Sequence, residues 1–413
     1  MRKPTTLGLL AFANFATAGM GQYLSEDGKL SVSNITPILF ILTAFPLFLA
    51  ARKTLNRSLV AFLLLFNLLA WLSFLIFTFR FGWKPNFAVL YFQEVEIVFC
   101  GLLIWYARLN PAEFLMMVRV GTLCSAVISA WYGYDAIMSG TALQIVVFSM
   151  DDKSQAAVLF CCQAFILLRY FKGVPEYFAA VALMAMGFIT LSRLPVFFVP
   201  VIFVASVVRS KSGALLGVVA AIGILAFVAY ASDVVGALFK VFDRLSSVDA
   251  VATEGSTTAH VLLIQAALQV KFTDAIAFIF GTGPGNFAYA ISSFPISLSE
   301  LESVDPIIIQ EARVGKAPMH STPFSAMLDY NVLLFCLIGY LLLLFVYHLI
   351  KARKYMELFF FFSLFAASAF YSIHNKPYVY LLCTTIYILM SRAKKTGENP
   401  GWRVAEERLP AVG

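Results

Sequence analysis

Apolar runs long enough to cross a bilayer recur from one end of this sequence to the other, separated by short polar connections. A hydrocarbon core about 30 Å thick is spanned by roughly 20 helical residues. Such runs lie at about 7–24, 35–50, 59–79, 88–107, 113–132, 155–171, 175–192, 194–208, 213–231, 324–350, 356–373 and 377–391. A soluble core has no need of them. The expected fold is all-α, a polytopic integral membrane protein of about twelve transmembrane helices. Composition agrees, with 61% hydrophobic and 13% charged residues, far from the balance of a soluble domain.

The net charge of +7 would suit nucleic acid if the cations were gathered on one surface. Instead they sit in short clusters between apolar runs, such as Arg52, Lys53 and Arg57, or Lys351, Arg353 and Lys354. Alternate connections carry roughly sixteen cations against about six, which by the positive-inside rule places both termini in the cytoplasm. Nucleic-acid binding is set aside on that ground. Cys100, Cys124, Cys161, Cys162, Cys336 and Cys383 all fall inside expected spans, where they act as small polarizable apolar groups. Neither a disulfide framework nor metal-ligand spacing is visible, so no metal and no cofactor are expected. Arg2 and Lys3 before an apolar stretch imitate a signal peptide, but without a small-residue cleavage site the stretch is read as the first span.

On this topology the chain divides into an N-terminal bundle of about nine spans at 1–231, an extracytoplasmic loop at 232–323, three further spans at 324–391 and a cytoplasmic tail at 392–413. The loop, at roughly 90 residues, is several times longer than any other connection, and long connections usually carry function. His260, Ile264, Ala267, Leu268 and Lys271 recur at three- and four-residue spacings. They predict an amphipathic helix from about Thr257 to Phe272, suited to lie on the bilayer surface.

Chemistry in the loop centres on His320, because imidazole titrates near pH 6.5 and can take a proton from a hydroxyl. The bland alternative is a solvated histidine. Pro318 and Pro323 flank it just before the tenth span, stiffening the chain where a lipid-linked head group would stand. Arg193, in the tight connection between the seventh and eighth spans, is a cation on the outer side; it is either snorkelled to lipid or a bidentate ligand for diphosphate. The run Gly281-Thr282-Gly283-Pro284-Gly285-Asn286-Phe287 is either a turn or a nest of amides approaching an anion. It lacks the flanking strand and Lys-Ser/Thr of a nucleotide loop. Glu94, Glu96 and Arg119 lie within expected spans, where they are paired structurally or line a pathway.

Taken in order, Ser192-Arg193 at a span junction, Ala266-Ala267-Leu268 on a helix, the glycine run at 281–287 and His320 before a span resemble the O-antigen ligase and O-antigen polymerase superfamily. The resemblance covers roughly residues 190–350. It implies metal-independent, inverting glycosyl transfer from an undecaprenyl-diphosphate-linked oligosaccharide at the outer face of the bacterial inner membrane, in the periplasm. It implies His320 as the base on the acceptor hydroxyl and Arg193 as a donor diphosphate ligand. At the position of a second family arginine stands His260, so that protonated His260, Arg244 or Arg313 supplies the further charge; Gly281, Gly283, Gly285 and Asn286 form the substrate loop. Ser321 stands where the family tends to have Asn.

The expected activity is polymerisation of O-antigen or exopolysaccharide repeat units, with a separate chain-length co-polymerase and a flippase as partners. A ligase transferring finished glycan to lipid A core, as in lipopolysaccharide, shares the same motifs. A polysaccharide-lipid transporter would instead use Glu94, Glu96 and Arg119 as its pathway.

Overall fold

A computed structural model of the chain describes residues 5–21, 31–50, 57–83, 111–139, 147–148, 150, 152–171, 173–190, 192, 194–209, 255–283, 286–295, 298–304, 306–313, 321–370, 382 and 385–386. These residues form helices and no strand. In chain order they are α1 (Thr6–Ala16), α2 (Val32–Ala50), α3 (Arg57–Phe81), α4 (Pro111–Ser139), α5 (Lys153–Tyr170), α6 (Val174–Ile189), α7 (Pro195–Arg209), α8 (Gly255–Thr273), α9 (Ala275–Phe280), α10 (Phe287–Ser293), α11 (Ser299–Val304), α12 (Pro306–Arg313), α13 (Thr322–Asp329), α14 (Val332–Lys351) and α15 (Tyr355–Phe370).

Three helices, over Leu64–Phe81, Glu113–Ser139 and Val332–Lys351, are long and apolar enough to cross a membrane among the described residues. The expected spans at 88–107 and 213–231 lie outside the described residues, as does nearly all of 377–391. Two expectations need correction. The first helix ends at Ala16 in a turn over 17–19 rather than continuing to 24. The run 324–350 is two helices, because α13 stops at Asp329 and α14 restarts after Asn331, whose side chain accepts from the Leu334 amide at 2.7 Å. An Asn N-cap of this kind stabilises a helix start by about 1 kcal/mol.

The chain forms two compact units, one of residues 1–48, 97–227 and 377–413 and the other of 49–96 and 228–376. In the first, α5 is enclosed on every side from Gln155 to Leu168. Its start is fixed by Asp152, which accepts from the amides of Ser154 and Gln155. Helix α1 runs parallel to α4: Thr5 donates from its amide and hydroxyl to Glu113, and further along Gly121 lies against Phe15 and Gly19 against Ser129. Helix α6 is also parallel to α4, since Arg119, near the start of α4, donates to Glu176 in the first turn of α6. Helix α5 runs the other way, with Gln163 donating to Ser125 at 2.8 Å and Phe160 stacked on Phe148 beside Gly133.

In the second unit α3 groups with helices of the 255–313 stretch. Its core gathers Phe77 of α3, Leu263, Ala267 and Val270 of α8, Phe287 and Ile291 of α10, and Leu328 of α13. Arg80, near the end of α3, grips Asp274 with its two terminal guanidinium nitrogens at 2.8 and 2.7 Å while lying over the rings of Phe81 and Phe294.

Candidate functional site

The site is built on α8. Its inward stripe is Leu263, Ala266, Ala267, Val270 and Lys271, at three- and four-residue steps. The predicted helix of 257–272 is present with slightly wider bounds, and its buried face runs through Leu263 and Val270. Asp274 then caps α9 by accepting from the Ala277 amide at 2.8 Å. Its bond to Arg80 holds this carboxyl below the usual carboxylate range.

Past α9 the chain makes the glycine turn. Gly281 has φ +72° and Gly283 φ +89°, a region that other residues enter only at a cost. A Cβ on Gly281 would lie 2.5 Å from the Asp329 carbonyl oxygen and 2.6 Å from the carbonyl of Tyr330; one on Gly283 would lie 3.0 Å from the backbone of Phe74 in α3. The turn is therefore wedged between α3 and the break that separates α13 from α14.

Hydrogen bonds close that wedge. Thr282 donates its amide to Leu328 at 3.0 Å and Gly283 its amide to Asp329 at 2.8 Å. The Thr282 hydroxyl donates to the Asp329 carboxylate at 2.9 Å, and Asn286 donates its side-chain amide to the Thr282 carbonyl at 2.8 Å. The amides of Gly281 and Asn286 go to Ala277 and Gly283. These four amides are committed to carbonyls, so none of them is free to approach an anion.

On the far side of the turn lies a group of charged and hydroxyl side chains that are almost fully buried. Lys271, 3% exposed, donates to the Tyr330 carbonyl at 3.0 Å. Burial lowers its pKa to about 8, with the Asp329 carboxylate acting in the opposite direction. Ser325 donates to Asp329 at 3.4 Å. Ser321, Ser325 and Asp329 recur every fourth residue along α13 and are all buried. The Ser321 hydroxyl and the Asn286 side-chain oxygen have no hydrogen-bond partner among the described residues.

Of the residues singled out from sequence, Gly281, Gly283 and Asn286 come together here, against the C-terminal end of α13. Arg313 is exposed at the end of α12. His260 belongs to α8, in a stretch whose side chains are not described. His320, Arg193, Arg244 and Gly285 lie outside the described residues, as do Glu94 and Glu96. Ser192, next to Arg193, meets Ser154 at the start of α5 in the first unit, whereas the glycine turn belongs to the second. Arg119, one of the three candidate pathway charges, is engaged by Glu176.

Sequence reasoning missed Asp329 and the role of Lys271. The signal was present, because Asp329 falls inside the apolar run 324–350 where an acid is costly unless paired.

No protein-family model matches this sequence, and no curated protein matches it.

Proposed function

We propose that the chain is an inner-membrane glycosyltransferase that joins undecaprenyl-diphosphate-linked oligosaccharide repeat units, an O-antigen or exopolysaccharide polymerase. One observation carries this reading. Two of the segments on which the resemblance rests, Ala266-Ala267 and the described part of the glycine run, pack with α13, the helix that follows His320 in the sequence, while Ser192 of the Ser192-Arg193 element belongs to the first unit.

A membrane setting is supported by the side chains that face outward. Leu68, Leu343 and Phe79 stand 65%, 70% and 93% exposed on α3 and α14, a burden that lipid relieves and water does not. The parallel course of α1, α4 and α6 against α5 fits the alternation expected of the first, fifth, seventh and sixth spans.

In this reading His320 takes the proton of the acceptor hydroxyl as that oxygen attacks the anomeric carbon, and the lipid diphosphate leaves from the opposite face. Arg193, with His260, Arg244 or Arg313, neutralises the leaving group, so no metal is required of the protein. Because the glycine turn's described amides are spent internally, this reading assigns anion binding to side-chain cations and leaves the turn to shape the site. The test is His320→Ala in cells that make the glycan. Single repeat units on lipid with no longer chains are expected; normal long-chain glycan would overturn the reading.

A further inference from the structure

The first expected span is a broken helix. Helix α1 stops at Ala16, the Ala13 carbonyl accepts from both the amide and the hydroxyl of Thr17, and the chain turns over 17–19. The last carbonyls of a helix lack partners within it, and they give that end about half a negative charge. Because α1 and α4 are parallel, the negative end of α1 points toward the level of Ser125 and Ser129.

Oxygen atoms converge at that level. Gly19, just past the break, has its open side against α4: a Cβ there would lie 2.7 Å from the Ser129 hydroxyl oxygen and 3.2 Å from that of Ser125. Gln163 of α5 reaches the same place, donating its side-chain amide to Ser125 at 2.8 Å. Ser125, Ser129 and Gln163 are fully buried. The Ser129 hydroxyl and the Gln163 side-chain carbonyl have no hydrogen-bond partner among the described residues. Buried polar groups left so are costly, and folded proteins supply them with a partner. Asn14 of α1 and Thr122 of α4, about one turn nearer the helix starts, are also buried and unpartnered among the described residues, and they continue the polar seam.

The chemistry of the donors selects the partner. Calcium is held largely by carboxylates, and zinc or copper by imidazole or thiolate. This set offers only neutral oxygens: two hydroxyls, an amide carbonyl and the carbonyls of a helix end. Neutral oxygens beside the C-terminal end of a discontinuous membrane helix suit a monovalent cation. A water molecule would satisfy the same two side-chain atoms, but it would leave the negative helix end uncompensated. A methyl group on Gly19 would already crowd both hydroxyls, so the space favours sodium over the larger potassium. We propose that the break in α1, together with Ser125, Ser129 and Gln163, binds a sodium ion, which ties α1, α4 and α5 together within the first unit.

The test does not depend on the glycosyl-transfer reading. It uses the full-length protein in detergent, with sodium or potassium chloride replacing choline chloride at constant ionic strength. Sodium should raise the unfolding temperature saturably, by about 3 °C or more, because an ion bound only by the folded chain stabilises it by mass action. Potassium should raise it less. Ser129→Ala and Gln163→Leu should each remove most of the sodium increment. In choline, Ser129→Ala should be no less stable than wild type, since the hydroxyl it removes has no partner among the described residues. Should Gln163→Leu fail to fold, Ser129→Ala decides alone. Wild-type curves that coincide in sodium and choline would mean that water fills the site and would overturn the proposal. A sodium increment that survives Ser129→Ala would overturn it too, by placing the ion elsewhere.

Discussion

Helix α5 encloses every residue from Gln155 to Leu168, whereas α14, two residues longer, buries only Leu334 and Leu349. The contrast runs against the soluble rule. Helix α14 is the most apolar of the three long helices and the least buried of them, while α5 carries Gln155 and Gln163 inside its fully buried stretch. In water the apolar helix would be the one hidden. In lipid the driving force between helices is close packing rather than removal from solvent, so apolarity marks the face turned to the bilayer.

The largest effect should come from α5. Phe165→Ala empties a fully buried site and should cost about 3–5 kcal/mol of stability, read as a lower unfolding temperature in detergent. A loss under about 1 kcal/mol would mean that the enclosure is loose.

On α14 the matching change is Leu343→Lys, at a side chain 70% exposed. If that side chain meets hydrocarbon, insertion should be penalised by about 2.5–3.5 kcal/mol, measured as the inserted fraction in a membrane-integration assay. Unimpaired insertion would remove the lipid-facing assignment.

A pH effect distinguishes the joint at the start of α14 from both helices. Lys271 has its pKa lowered from 10.5 to about 8, so between those values the unfolded chain holds a proton that the folded chain has released. Stability from this group therefore rises with pH across that window, and is not gained below about 8. The difference in melting temperature between wild type and Lys271→Met should change in favour of wild type from pH 8 to pH 10. A constant difference would mean that the lysine is not buried as described. The smallest effect belongs to Leu343→Ala, which should stay within about 0.5 kcal/mol in detergent because no partner is lost.

The comparison also explains what the sequence could reveal. Helix positions were legible because apolar runs alternate with basic connections, and most described helices start within a few residues of the expected spans. The break between α13 and α14 was not, since the run 324–350 contains neither a proline past Pro323 nor a glycine before Gly339 to mark it. Asp329 and Asn331 do the work of punctuation there, one bonded across to the glycine turn and the other capping a new helix. Lys271 of α8 lies inside because the Tyr330 carbonyl, remote in sequence, accepts from its ammonium group. Gly281 and Gly283 were visible as a turn, but the surfaces that demand them, the backbones of Asp329, Tyr330 and Phe74, are remote in sequence.

A helix shielded from lipid has no need to be soluble in it. Helix α5, with its polar first turn and Gln163 at its middle, would enter a bilayer poorly alone. Its Ser125 partner on α4 and the packed faces of α6 and α7 must then be at hand as it leaves the insertion machinery. If the proposed membrane setting holds, α4 to α7 would insert as a single consignment, and a ribosome stalled between α5 and α6 should leave α5 open to extraction from the membrane.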